Sequence, residues 1–292
     1  MAQIKLIATD LDGTFLKGGH TPHPENIKAV RACQEAGIRV CACTGRNWAE
    51  CRRIVKEVGF DDFCAVNNGA AIVEVKTGEL RYRNRFDPEA IAGLVDVMLS
   101  YPDVKFGLTG LESTGVLKGR MEDWFESEPK ELLEELYHLT EYDTKEELVE
   151  ACKEDVERIN CRLPFLEHFE QVRDAMRNYT DLEIMQSTDG YLEIGAKDGT
   201  KAEALTVLTD IYNVKPENVM ALGDNYNDLY MLAWAGTGVA MGNADERLKA
   251  VADYVTDINT RAGMAKAVDQ IALGKKRMSG DRAAFGGGSK DA

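Results

Sequence analysis

Residues 7–14 read IATDLDGT, closing an apolar run that starts near Ile4 and ends in two aspartates two positions apart. In an extended chain, residues two apart point to the same side, so Asp10 and Asp12 share one space while Leu11 turns toward the interior. Gly13 then lets the backbone turn sharply. Two carboxylates confined to one site can have their pKa values pushed apart, which suits a nucleophile working beside a general acid. A helix cap or a simple turn accounts equally well for the pair taken alone.

The same design recurs along the chain. IRVCACTGRN (38–47), FCAVNNGA (63–70), VMALGDNYND (219–228) and GVAMGNADE (238–246) each pass from a short apolar run into a polar or Gly-containing turn. Such runs alternating with helices indicate buried parallel strands joined by right-handed crossovers. The intervening helices carry their own signals. PENIKAVRACQEAG starts at Pro24 and stops at Gly37, NWAECRRIVKEVG is capped by Asn47 and ended by Gly59, and TKAEALTVLTDIYN and DLYMLAWAG flank the strand at 219. The expected fold is α/β, a Rossmann-like parallel-sheet core.

Between about Phe86 and Leu192 the pattern changes. VKFGLTG, STGVLKG, ERINCRL, LEIMQS and GYLEIG read as strands of a more exposed sheet, with PEAIAGLVDVML and EHFEQVRDAMRN as helices. The expected layout is core at 1–85, an inserted α/β cap domain at 86–192, core again at 193–274, and a disordered tail at 275–292, which is Gly-rich and aperiodic. The acidic run ESEPKELLEELYHLTEYDTKEELVEACKEDVE reads as a solvated helical face.

At 292 residues the chain has room for two cores, and 44% hydrophobic with 29% charged residues is ordinary globular composition. A formal net charge of -15 argues against binding a nucleic acid polymer or an anionic membrane. No apolar stretch approaches a membrane span or a signal peptide, so a cytoplasmic location is expected. The seven cysteines contain no Cys-x-x-Cys pair, and Cys41 and Cys43 fit one strand face as small buried thiols.

Three further stretches bear on chemistry. GDNYND adds Asp224 and Asp228, so several acidic groups converge where the carboxyl ends of parallel strands meet. Oxygen ligands without His or Cys indicate a hard cation, and Mg2+ would let an acidic protein hold an anion. CTGRN places Thr44, Gly45 and Arg46 between strand and helix, where a hydroxyl, backbone N–H groups and a helix N-terminus can hold phosphate oxygens, although a plain helix start has the same form. YLEIGAKDGTKAEAL carries Lys197 and Lys201 ahead of a helix without satisfying the G-x-x-x-x-G-K-[ST] phosphate loop. His20 and His23 lack an evident third ligand and read as a surface loop.

Taken in order, D-x-D-G-T, T-G-R, a lysine before a helix and G-D-x-x-N-D resemble the haloacid dehalogenase superfamily, in particular its Cof-like phosphatases with a large C2-type cap. The resemblance implies that Asp10 is a nucleophile forming an aspartyl-phosphate and that Asp12 protonates the leaving alcohol and later activates water. It implies that Thr44 and Lys201 hold the phosphoryl group, and that Asp10, the backbone carbonyl of Asp12 and Asp224 bind Mg2+. Asn227 and Asp228 would support the phosphate and the metal surroundings. The family spacing, eight residues after Glu193, selects Lys201 over Lys197, although Ala202 stands where Gly is usual. Asn68 in VNNGA and Arg46 would stand at the rim toward substrate or cap; plain turns fit both equally.

The implied activity is Mg2+-dependent hydrolysis of a small phosphorylated metabolite, a sugar phosphate or a cofactor or nucleotide phosphate. Two alternatives share the sequence features: a phosphotransferase or phosphomutase passing the group to a second hydroxyl, and a non-catalytic phosphometabolite-binding regulator. The oligomeric state is not encoded in any motif.

Overall fold

A computed structural model describes residues 3–120, 137–163, 167–179, 181–188 and 190–275. Five parallel strands form its first sheet, in the order Tyr254–Val255, Thr237–Ala240, Val219–Gly223, Leu6–Thr9, Arg39–Ala42. The first strand is central and buried throughout, with Leu6 and Thr9 opposite Val219 and Leu222 on one side and opposite Arg39 and Ala42 on the other. Its period of two feeds two cores. Ile7 packs with Val30, Val40 and Val55, whereas Leu6 and Ala8 pack with Leu205, Leu208 and Leu232. Helices therefore cover both faces, which is why the strand sequences are apolar without alternation.

Chain order reverses across this sheet. From Leu6–Thr9 the chain goes first to Arg39–Ala42 and later returns to the other side at Val219–Gly223. A crevice opens beyond the strand ends at such a reversal, and Asp10 and Asp224 sit immediately after the two strands that flank it.

The helices begin and end where their caps require. Asn47 accepts the Glu50 amide (2.9 Å) while Glu50 reaches back to the Asn47 amide, and Gly59 closes Trp48–Val58 in the left-handed conformation, φ 79°. Asn47→Ala removes this reciprocal capping and is expected to lower stability by about 1 kcal/mol; an unchanged thermal midpoint would refute that contribution. His23 caps Pro24–Glu35, its Nδ1 accepting the Glu25 amide (3.2 Å).

The second sheet has the order Leu139–Tyr142, Thr114–Leu117, Lys105–Thr109, Arg158–Arg162, Tyr191–Ala196, Leu182–Thr188. It is antiparallel apart from the pairing of Leu139–Tyr142 with Thr114–Leu117. One face, including Phe106, Leu108, Ile159, Leu192 and Ile194, packs on the helices Pro88–Leu99, Lys145–Cys152 and Glu167–Met176 in a core of its own. The fold is thus a Rossmann-like core with an inserted α/β cap. The two crossings lie side by side, with the Asn84 side chain donating to the Lys197 carbonyl (2.7 Å).

Three expectations need correction. The cap boundary expected at 192 falls inside the strand Tyr191–Ala196, so Glu193 belongs to the second sheet and the return to the core follows it. Phe63–Val66 is not a strand of the parallel sheet. It pairs antiparallel with Ala71–Glu74, and a single Cys43–Ala65 bridge joins it to the core, because a short apolar run suits either kind of strand. Within the acidic run, Leu139–Tyr142 is an edge strand, while Lys145–Cys152 is the helix expected there. Residues 121–136, and all but Lys275 of the expected tail, lie outside the described residues.

Among the described residues no helix is long and apolar enough to cross a membrane. None of the seven cysteines is in a disulfide, and all but Cys152 are buried. Burial pushes the thiols of Cys33, Cys41 and Cys43 up to about 12, which leaves them protonated packing groups.

Candidate active site

Asp10 leaves the central strand in an extended conformation (φ -65°, ψ 161°), and its amide still bonds the Leu222 carbonyl at 2.9 Å. Asp12 is also extended (φ -75°, ψ 127°), and Gly13 then turns with φ 73°. That glycine is required twice over. Its φ disfavours any side chain, and a Cβ there would stand 2.1 Å from an oxygen of Asp224. Thr14 completes the turn, its hydroxyl donating to Asp224 Oδ1 at 2.7 Å.

Ligand oxygens of Asp10, Asp224 and Asp228 lie within 4.8 Å of one another. Lys201, the first residue of a helix capped by Thr200, sends its ammonium between two of them, 2.7 Å from Asp10 and 2.6 Å from Asp228. The lysine is 1% exposed and Asp228 fully buried. Burial opposes charge on Lys201, but the two aspartates outweigh it and hold the ammonium well into its protonated range. Lys197 is elsewhere, exposed and 3.4 Å from Asp181.

The carboxylates are not equivalent. Asp228 is fully engaged, accepting from Lys201 with one oxygen and from the amides of Asp224 (2.9 Å) and Asn225 (3.1 Å) with the other. Asp10 and Asp224 keep acceptor capacity. Burial, reinforced by the neighbouring carboxylates, raises the Asp10 pKa well above the usual range despite Lys201, and brings that of Asp224 up to about 7. Three carboxylates against one ammonium, with an all-oxygen donor set, fit a hard divalent cation held by Asp10 and Asp224, which would relieve this crowding.

Asp12 faces differently. Arg46 grips it with two parallel bonds, Nε to Oδ2 at 2.7 Å and Nη2 to Oδ1 at 2.6 Å. The same guanidinium meets His20 Nδ1 (2.8 Å) and the Gly19 carbonyl (3.1 Å), so His20 serves as a neighbour of Arg46. Thr44 is fully buried, its hydroxyl oxygen accepting the Arg46 amide at 3.1 Å.

A cavity of about 300 Å3 lies over these groups, its walls including Asp10, Asp12, Gly45, Arg46 and Asn227 from the core. The cap contributes Arg158, Asn160 and Glu193 from two paired strands, along with Thr114. Glu193 ties the two domains together. One oxygen accepts from Arg158 (3.2 Å), and the other accepts from Asn68 (3.0 Å) and Asn227 (3.5 Å). Asn68 also accepts from Asn227 at 3.0 Å, so it bridges core to cap.

The structure therefore brings together Asp10, Lys201, Asp224 and Asp228 at one point, Asp12 with Arg46 beside it, and Asn68 with Asn227 at the cap junction. Reading the sequence missed Thr14, His20, Arg158, Asn160 and Glu193 as members of the site. Alternation in RINCR and YLEIG marks Arg158, Asn160 and Glu193 as sharing a polar sheet face, the one signal available for them.

A family model described as haloacid dehalogenase-like hydrolase matches residues 7–268. The 5-amino-6-(5-phospho-D-ribitylamino)uracil phosphatase YcsE of Bacillus subtilis is 30% identical over 268 residues, covering 91% of this chain and 94% of its own. The pyridoxal phosphate phosphatase YbhA of Escherichia coli is 27% identical over 277 residues, with 90% and 96% covered. Among solved structures, a haloacid dehalogenase-like hydrolase from B. subtilis superposes with a TM-score of 0.79 at 27% identity, covering 92% of this chain and 100% of its own.

Proposed function

The chain belongs to the haloacid dehalogenase-like hydrolase family, and on that premise we propose that it is a phosphatase of small phosphorylated metabolites, dependent on Mg2+ and working through an aspartyl-phosphate on Asp10. The observation that carries this reading is the buried Asp10 carboxylate, fixed by Lys201 at 2.7 Å on the wall of a cavity that Asp12 shares. The names of the relatives, phosphatases of a ribitylamino-uracil phosphate and of pyridoxal phosphate, support the substrate class.

In this reading a free oxygen of Asp10 attacks phosphorus in line with the leaving oxygen. The bond from phosphorus to the leaving oxygen breaks as Asp12 gives that oxygen a proton, and an alcohol departs. Arg46 occupies both oxygens of Asp12 beforehand, so substrate entry has to open that pair. Asp12 then takes a proton from water, the water oxygen attacks the acyl phosphate, and inorganic phosphate leaves with the Asp10 carboxylate restored. Lys201, joined by Thr44 in the role the sequence motif gives it, stabilises the charge on the phosphoryl oxygens. Asp10, Asp224 and the Asp12 carbonyl would hold the divalent cation, which would supply further neutralisation of that charge. Asp228 positions Lys201, and Asn227 links this centre to the cap.

Phosphate release from a panel of phosphorylated metabolites, with Mg2+ and with chelator, tests the reading; release unaffected by complete chelation would remove the metal from it. Isomerised sugar phosphate without free phosphate would instead indicate transfer to a second hydroxyl. Gly13→Ala is a sharper probe, because its methyl group is directed at Asp224. We expect Mg2+ affinity, measured by calorimetric titration, to fall on the order of tenfold or more. Unaltered affinity would place the cation away from Asp224.

A further inference from the structure

The stretch GVAMGNADE (238–246) takes no part in the mechanism above, yet the turn it makes after Thr237–Ala240 holds both acidic loops of the core. The Asp245 amide donates to the Asp224 carbonyl at 3.0 Å. Asn243 reaches further: its Nδ2 donates to the Gly13 carbonyl at 2.9 Å, and its Oδ1 accepts the Asn259 amide at 2.9 Å. Asn259 in turn donates from its side chain to the Leu16 carbonyl at 2.9 Å. In the sheet, Thr237–Ala240 stands two strands from Leu6–Thr9, a separation of about 10 Å, with Val219–Gly223 between them. Asn243 thus links the loop after one strand to the loop two strands away, past the strand that leads into Asp224.

An asparagine in a turn ordinarily bonds its own neighbouring backbone. Here the partners lie 230 and 16 positions away and the side chain is exposed, so neither local turn chemistry nor burial accounts for it. The Asn259 amide can only donate, so it fixes Oδ1 and leaves Nδ2 facing Gly13. The Gly13 carbonyl is where such a hold matters. Gly13 turns at φ 73° with no side chain of its own to restrain it, between Asp12 and Thr14, whose hydroxyl donates to Asp224 Oδ1 at 2.7 Å. We propose that Asn243 is a positioning residue for phosphoryl transfer: by holding the Gly13 carbonyl it sets the Asp12–Gly13–Thr14 turn, and with it the proton donor on one side and the bond to Asp224 on the other. The inference rests on the phosphatase reading, in which Asp12 protonates the leaving oxygen and its carbonyl faces the cation, and deepens it. Exposed hydrogen bonds compete with water and add little to global stability. A reacting group displaced by about 1 Å, by contrast, costs on the order of a hundredfold in rate. Asn243 therefore matters far more to turnover than to folding.

The test follows loop order, cation binding and turnover separately in full-length Asn243→Ala and Asn243→Ser. Both side chains are shorter than asparagine and add no bulk, so misfolding of one leaves the other to decide. Amide hydrogen exchange across residues 10–18 should quicken by about tenfold or more while the rest of the chain exchanges as in the parent. Mg2+ affinity, titrated calorimetrically without substrate, should fall by about tenfold. With the best substrate of the panel, kcat should fall by about tenfold or more while KM stays within about threefold. The thermal midpoint should move by no more than about 3 °C. Unchanged exchange at 10–18, exchange quickened equally along the whole chain, or a raised KM with kcat intact would each overturn the proposal. Exchange and Mg2+ titration need no turnover, so the two readings fail separately. If the parent releases no phosphate from any compound, hydrolysis falls and those two measurements decide the role of Asn243. If the parent releases phosphate with Mg2+ and both variants match it, the role of Asn243 falls and the phosphatase reading stands.

Discussion

Asp10→Asn is expected to lower phosphate release from every substrate by at least about a thousandfold, because in the proposed mechanism it removes the oxygen that forms the covalent bond and leaves the rest of the site in place. The amide is nearly isosteric, and the Asp10 backbone stays fixed by its bond to Leu222 at 2.9 Å. The fold should therefore survive, as circular dichroism and an unfolding curve would report. Mg2+ affinity should weaken while substrate binding persists, since Lys201 and the cap are untouched. Turnover within a few-fold of the parent protein would remove Asp10 as nucleophile. A residual rate that grows over hours of incubation would point to deamidation back to aspartate, which mass spectrometry distinguishes.

What made this residue readable is local. An apolar strand ending in two carboxylates and a glycine fixes its own geometry within five residues, and the structure has Asp10 and Asp12 extended with Gly13 at φ 73°. The helix caps at Asn47 and Thr200 are local in the same way. The cap side of the site is not. Alternation in RINCR puts Arg158 and Asn160 on one sheet face, but nothing in that segment says that this face, and not the one bearing Ile159 and Cys161, turns toward carboxylates about 150 positions earlier in the chain. That depends on how the cap sheet settles on the core, through contacts such as Glu193 with Asn68 and Asn227. Phe63–Val66 failed for a related reason: its four residues suit a buried strand of either sense, and the choice is made by the partner strand Ala71–Glu74. Arg46 had the right neighbourhood, yet its grip on Asp12 follows from a loop approach that spacing does not encode.

Lys201→Met should have the other large effect, on turnover and stability together. The ammonium is enclosed with Asp10 and Asp228, and removing one partner of a buried ion pair leaves uncompensated charge at a cost of about 3–5 kcal/mol. Turnover should fall by about a thousandfold, since the phosphoryl oxygens lose their buried cation. Lys197→Ala, at an exposed position beside Asp181, should change neither; a loss there with Lys201→Met unaffected would transfer the role to Lys197. A second substitution separates the two effects. Asp228→Asn in the Lys201→Met background removes one of the stranded charges while keeping an oxygen for the amides of Asp224 and Asn225, which Asp228 accepts at 2.9 and 3.1 Å. Stability should return in part, and activity should not. The destabilisation should also shrink when Mg2+ is added, because a cation held, as proposed, between Asp10 and Asp224 would neutralise the same crowded carboxylates whose pKa values burial already raises. If Mg2+ leaves the thermal midpoint of Lys201→Met where it was, the cation does not sit in this cluster.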